Sequence, residues 1–430
     1  MIMVFRSDQT PRSAKQCVES ATQRGQSIGG RPSPGRRRRR NGAWTASSTA
    51  HRRNNSAGRA MTVSQPARME LPGQVVLVFQ GGGALGAYQL GVYQALDESR
   101  IRPDWVVGTS IGAINAALIV GNPPERRYRR LAEFWNRVTD QTRLDVSAAW
   151  LGWDKTLAEL MIIGGGIAGF FLPNPASWLG PLARLGVDRA SYYLVAPLRE
   201  TLTALVDFDL LNAGHPRLTV GAVNACTGAM RYFDSREQRL TVEHVMSSGA
   251  LPPAFPAVRI DGEPYWDGGV YSNTPVEVVL DDNPRKSSVI FSVQMWNPTG
   301  PEPESLWQIS ERQKDIQYAS RTDSHIARQQ QIHRLRHVIR ELVKRLPEAE
   351  RATAEVRELA AWGCHTSMRL IKLAAPRLDG DNQLKDIDFT PAGIAARQRA
   401  GYEEAMRAIA ARPWEAAMNP MEGLTVYSAD

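Results

Sequence analysis

Ordered alternation of apolar and polar positions begins only at Gln74. Val75–Phe79 is an unbroken apolar run, the pattern of a strand buried on both faces. The spacing then predicts a helix over Ala84–Ser99, a short strand over Asp104–Val107, and a second helix over Ile111–Val120 that stops at Gly121-Asn122-Pro123. Pro124–Thr139 reads as an amphipathic helix carrying Phe134 and Trp135. Strand, helix, strand, helix calls for an α/β fold, a mostly parallel sheet with helices on its faces.

The periodicity lapses over Ala148–Leu185, which holds Trp150, Trp153, Phe170, Phe171 and Trp178 among glycines and prolines. Two readings stay open for this apolar insert: a lid or interfacial element beside an apolar site, or an ordinary buried loop layer. Pro197–Val206 then reads as a helix, Arg217–Val223 and Met230–Phe233 as strands of a hairpin, and Val242–Ser248 as a short helix. Ser288–Gln294 is a further core strand, and Pro301–Pro303 marks a boundary. Beyond it, Leu306–Leu346 is largely helical. Ile332, Leu335, Ile339, Leu342 and Leu346 recur at helical spacing, which expects them to pack on the body with a basic face in solvent. Ser367–Leu373 alternates weakly, like a strand, and Thr390 is placed to N-cap a last helix through Ile409. The expected organisation is a tail (1–70), a catalytic-sized α/β domain (71–300) and a mainly helical C-terminal domain (301–430).

Composition changes this picture mainly at the N-terminus. Residues 1–60 hold 13 Lys/Arg against 2 Asp/Glu, a formal +11 in a chain whose total is +8, which leaves the body at −3. The basic character therefore belongs to the tail with its Gly35–Arg40 run, and gives no reason to expect a nucleic-acid partner for the body. The tail is too polar to build a core, so it reads as a disordered segment or as a start placed too early, with Met61 as the alternative. It lacks the apolar stretch of a secretory signal. Cys17, Cys226 and Cys364 are few and far apart, which fits a reducing compartment. The longest apolar candidate, Met161–Leu172, falls short of the ~20 residues that span a bilayer. The expectation is a cytoplasmic protein, with peripheral membrane contact open and the oligomeric state undetermined.

The chemistry gathers in three short stretches. Gly108-Thr109-Ser110-Ile111-Gly112 is a G-x-S-x-G between a predicted strand and a predicted helix. A serine on that tight turn is presented outward, the glycines tolerate close backbone approach, and the helix N-terminus favours negative charge there. Ser110 is thus read as a nucleophile. A serine needs a base, and none of the seven histidines sits in a compelling loop. His325, His333 and His337 fall on the long amphipathic helix, where a surface role is expected, and His365 lacks a presenting turn. Asp267, ahead of Gly268-Gly269, is the better partner, since a partly desolvated carboxylate can accept a hydroxyl proton directly. The third stretch is Gly81-Gly82-Gly83-Ala84-Leu85-Gly86, after the first strand. As a dinucleotide fingerprint it wants an acidic residue ending the next strand, and Asp104 instead precedes that strand. As a P-loop it wants Gly-Lys-Ser/Thr, which is absent. The remaining use is an oxyanion hole of backbone N–H groups.

Together, and in this order, the three motifs resemble the patatin-like phospholipase family over about Val75–Trp296, and Ser247–Val258 resembles the segment that precedes the family's aspartate. The resemblance implies a three-layer α/β/α fold and a Ser–Asp dyad without histidine. In that dyad Ser110 is the nucleophile and Asp267 the general base. It further implies that N–H groups of Gly82 and Gly83, with Gly81 or Ala84 as alternatives, hold the oxyanion. Gly86, Gly108, Gly112, Gly268 and Gly269 support the turns. The implied reaction is hydrolysis of a lipid or fatty-acyl ester through an acyl-serine, with no metal or cofactor. Many family members carry Arg or Lys where this chain has Leu85, which weakens the case for an anionic headgroup. Residues 301–430 resemble the extra C-terminal domain of one bacterial subgroup. Two other readings stand beside this one: a Ser-His-Asp α/β-hydrolase or thioesterase using a C-terminal histidine, and a membrane- or partner-binding protein with a degenerate hydrolase site.

Overall fold

The computed structural model describes residues 69–139, 162 and 164–428. The Arg-rich tail, Trp150 and Trp153 lie outside the described residues. Eleven strands follow in chain order: β1 (Gln74–Phe79), β2 (Trp105–Thr109), β3 (Leu172–Pro173), β4 (Tyr193–Leu194), β5 (Arg217–Asn224), β6 (Met230–Asp234), β7 (Val258–Ile260), β8 (Glu263–Asp267), β9 (Ser288–Gln294), β10 (Met368–Ala374) and β11 (Leu424–Ser428). Nine form one sheet in the order β11-β10-β9-β1-β2-β5-β8-β7, with β6 also on β5, while β3 and β4 make a separate short pair. From β11 to β5 all neighbours run parallel, and β6, β7 and β8 add antiparallel pairings at the far side.

The unbroken apolar run of β1 has a direct cause. Val75, Leu77 and Phe79 face the larger core, whereas Val76 and Val78 face a second one. The first core is closed by α1 (Ala87–Glu98), α2 (Ile111–Val120), α3 (Arg127–Thr139) and, far along the chain, α4 (Pro391–Ala411). The second is closed by α5 (Val276–Leu280) and the 40-residue α6 (Leu306–Arg345). The result is a three-layer α/β/α arrangement. A strand in its middle layer has no solvent face, so it shows no period-two alternation.

Three features go beyond the expectations. First, β10 pairs with β9, and β11 with β10, so strands from beyond Pro301–Pro303 extend the sheet of the preceding part. The region after 300 is mainly helical as expected, yet its strands join the middle layer. Second, the predicted apolar face of α6 is not its buried face. Leu335 and Leu342 are exposed. The buried line runs instead through Glu311, Asp315, Ala319, Thr322, Ile326, Gln329, His333 and His337, at intervals of three and four residues. Third, His333 and His337 are therefore core residues and not surface ones. His333 Nε2 meets the Leu280 carbonyl at 3.2 Å, and His337 bridges the carbonyls of Pro420 (2.8 Å) and Thr366 (3.0 Å). Polar side chains can serve as a packing face here because each finds a partner across the layer. Thr390 caps α4 as predicted, its hydroxyl accepting from Gly393 N–H at 3.1 Å.

Among the described residues no helix is long and apolar enough to cross a membrane.

Candidate active site

Sheet register brings the three motifs together. Phe79 of β1 pairs with Gly108 of β2, so the glycine loop and the Ser110 turn leave the sheet side by side. Thr109 pairs with Gly221 of β5, and the next residue, Ala222, pairs with Asp267 at the end of β8. Loops at the carboxyl ends of parallel strands are the usual place for a site in such folds.

Ser110 sits at φ 57°, ψ −128°, a conformation that costs a non-glycine residue about 1–3 kcal/mol. Its backbone is held there. The Ser110 N–H donates to both the carbonyl and the hydroxyl of buried Ser248, whose own hydroxyl donates to the Gly221 carbonyl at 2.6 Å. The turn is tight enough to require its glycines. A Cβ on Gly112 would lie 2.5 Å from the Phe79 carbonyl oxygen, and one on Gly108 would lie 2.3 Å from the Gly112 carbonyl oxygen. Gly86 packs in the same way against Ile111, and Gly268 against the Gly221 carbonyl.

Asp267 is fully buried, and its Oδ1 accepts from Gly269 N–H at 2.7 Å. Burial pushes its pKa up to about 7, while hydrogen bonds from the Ser110 side chain and the Gly269 amide pull it part of the way back. A buried carboxyl whose pKa is raised in this way, in the same cavity as a serine hydroxyl, is suited to take up a hydroxyl proton.

The glycine loop forms the other wall. Gly81, Gly82 and Gly83 line the same cavity as Ser110 and Asp267. Among the described residues, the N–H groups of Gly82, Gly83 and Ala84 donate to no protein acceptor. Gly83 has φ +55°, and a Cβ there would lie 2.2 Å from the Asp386 carbonyl oxygen, so only glycine fits. The cavity measures about 150 Å³ and is mostly apolar. From the insert it takes Phe170 and Phe171, which supports a role beside the site for the described part of that stretch. Ile162, also from the insert, and Phe255 add to the same wall.

Sequence reasoning missed the contribution of the C-terminal third. Tyr318, Asp386, Ile387 and Phe389 all line the cavity. The segment carrying the last three is anchored by buried ion pairs. Arg397 reaches Asp388 (3.2 Å) and Asp381 (3.0 Å), and Lys385 reaches Asp315 at 2.7 Å. Asp386 is itself paired with Lys314 at 2.8 Å. No local pattern in residues 381–397 signals such a role, because the contacts that carry the segment to the site, Lys385 with Asp315, Asp386 with Lys314 and the Asp386 carbonyl against Gly83, are made with α6 and the glycine loop. Leu85 turns out to face away from this cavity. It lines a smaller one behind the loop with Tyr88, Met295 and Lys385. None of the described histidines lines the Ser110 cavity, and among the described residues no group of three or more metal-ligating side chains is gathered.

Comparison with known proteins identifies the family. A patatin-like phospholipase family model matches residues 77–280, and a second model, described as patatin phospholipase, matches residues 316–421. A patatin-like phospholipase domain-containing protein of Caenorhabditis elegans is 37% identical over 83 residues, 19% of this chain and 7% of that protein. Patatin-like phospholipase domain-containing protein 6 of human is 37% identical over 79 residues, 18% of this chain and 6% of that protein. The chain thus spans less than a tenth of the length of these curated relatives. Among solved structures, VipD of Legionella pneumophila aligns over 82% of this chain and 72% of its own, at 16% identity and a TM-score of 0.36. ExoU in its complex with SpcU, from the type III secretion system of Pseudomonas aeruginosa, aligns over 80% of this chain and 52% of its own, at 18% identity and a TM-score of 0.33. With two family models covering most of its length, the chain belongs to the patatin-like phospholipase family.

Proposed function

We propose that this protein is a serine acyl hydrolase that cleaves a lipid or fatty-acyl ester with a Ser110–Asp267 dyad. Family membership implies action on lipid. The observation that carries the finer reading is that the strained Ser110 and the fully buried Asp267 line one apolar cavity together with the glycine loop. Ser110 Oγ attacks the ester carbonyl as Asp267 takes its proton. The carbonyl oxygen becomes an oxyanion facing the free N–H groups of Gly82 and Gly83. Asp267 then returns the proton to the leaving alcohol, and an acyl-serine remains. Water, deprotonated by the same carboxylate, attacks the acyl carbonyl, and a second tetrahedral species collapses to the fatty acid and free Ser110. The apolar wall receives the acyl chain, which supports an ester of long hydrocarbon character over a small polar one. The catalytic part comprises residues 71–300, completed by the wall that residues 301–430 supply.

The decisive experiment compares wild type with Ser110→Ala on a panel of acyl esters, following released fatty acid, together with labelling by a fluorophosphonate. Turnover and labelling that both vanish in Ser110→Ala support the dyad. Undiminished turnover in that variant refutes it.

A further inference from the structure

We propose that Trp296 is a positioning residue whose indole N–H sets the orientation of the Gly81–Gly82 peptide and so aims the Gly82 N–H at the reacting oxygen. This inference rests on the hydrolase reading above.

The argument starts from the sheet. β9 lies parallel to β1 with Val293 beside Phe79, so the chain leaving β9 runs next to the chain leaving β1. Trp296 is thereby placed against the first glycine of the loop. Its Nε1 donates to the Gly81 carbonyl at 2.8 Å, and Asn273 Nδ2 donates to the same oxygen at 3.2 Å. The only cis peptides among the described residues precede prolines, so the Gly81–Gly82 bond is trans. In a trans peptide the C=O and the following N–H point in opposite directions. Drawing the Gly81 carbonyl toward the indole therefore turns the Gly82 N–H away from it. Gly82 lines the Ser110 cavity, and its N–H has no protein acceptor among the described residues.

A clamp is needed at this bond because it joins two glycines, whose flanking torsions are the least restricted in the chain. If the peptide rotated by half a turn, the Gly81 carbonyl oxygen would replace the N–H and repel a developing oxyanion. The indole is well held for the task. Trp296 is buried, with 4% of its surface exposed, and its backbone N–H donates to Gln80 Oε1 at 3.0 Å. Gln80 Nε2 in turn donates to Thr274 Oγ1 at 2.7 Å. The Tyr318 ring lies 4.9 Å from the indole, and Lys385 Nζ lies 5.6 Å from it over the ring face. The C-terminal third thus reaches the oxyanion loop through Trp296 as well as through the Asp386 contact on Gly83.

The test uses the full chain. Turnover that depends on Ser110 is established first, since its absence in wild type would overturn both readings. Trp296→Phe keeps a ring and removes the donor. Replacement of Trp296 by benzothienylalanine keeps the bicyclic shape and removes only the N–H, and so covers the case in which Phe disturbs folding. The expected result is a roughly 10- to 100-fold fall in kcat with KM within about twofold, below the 100- to 1,000-fold loss typical of deleting an oxyanion donor outright. A boronic acid, which becomes a tetrahedral anion on Ser110, should bind more weakly by the same factor. A non-reactive amide analogue of the substrate should bind as before. A merely structural role would move melting temperature or KM and would leave the boronate-to-amide ratio unchanged. Unchanged kcat in the benzothienyl variant, or equal weakening of both inhibitors, would overturn the proposal.

Discussion

Replacing Asp267 by Asn should inactivate the protein and stabilise it, and the stabilisation should depend on pH in a defined direction. The carboxyl of Asp267 has its pKa raised from 3.8 to about 7, chiefly by burial. A shift of about three units at ~1.4 kcal/mol each means that keeping Asp267 ionised in the folded protein costs on the order of 4 kcal/mol. The folded-state pKa lies above that of the unfolded chain, so the folded state binds the extra proton between them. The contribution of Asp267 is therefore most favourable below about pH 4, declines as pH rises toward 7, and is level above that. Asn carries no charge and still offers an oxygen to the Gly269 N–H, so the variant avoids this cost. Urea denaturation of wild type and Asp267→Asn at pH 5 and pH 8.5 measures the difference. The variant should be the more stable at pH 8.5, by an amount approaching that figure, and the gap should shrink at pH 5. Wild-type kcat/KM should rise with pH and level off above about pH 7, since only the ionised carboxylate accepts the serine proton. A stability gap that is the same at both pH values, or of opposite sign at pH 8.5, would refute the reasoning. So would a wild-type rate that is flat from pH 5.5 to 8.5.

Other perturbations test the walls of the site. Arg397→Ala removes the buried cation that meets the carboxylates of Asp381 and Asp388, and should cost about 3–5 kcal/mol in chemical denaturation along with a loss of turnover as the Asp386–Phe389 wall loosens. Phe389→Ala removes a ring that lies against Phe170 and Trp135, and should cost roughly 3–5 kcal/mol. Where it still folds, it should shift preference toward longer or bulkier acyl chains in a p-nitrophenyl ester series; an unchanged chain-length profile would remove Phe389 from the acyl wall.

The contrast between what was legible and what was not follows the range of the interactions. The G-x-S-x-G turn could be read because its requirements are local. The outward serine, Gly108 and Gly112 answer to contacts within the turn or with the strand beside it. The Asp267 turn could be read for the same reason, whereas the glycine loop showed only as a run of glycines after a strand, since Gly83 answers to the distant Asp386 carbonyl. The apolar run of β1 announced a strand covered on both faces before any partner was known. The face of α6 could not be read. Periodicity finds where apolar residues recur, whereas burial of Glu311, Asp315, His333 and His337 depends on Lys385, Leu280, Thr366 and Pro420, which lie up to some 80 residues away in the chain.

The sequence by itself determined the fold class, the order of the three motifs and the residue types each would offer. Those properties are written in spacings of a few residues, where steric limits on the backbone act directly. Tertiary structure decided which side of the glycine loop faces the serine and where Leu85 points. It also decided that residues 301–430 complete the sheet and wall the cavity, and that an indole at position 296 holds the Gly81 carbonyl. These follow from strand register, which sets residues more than two hundred positions apart within hydrogen-bonding distance and leaves no periodic trace in either segment.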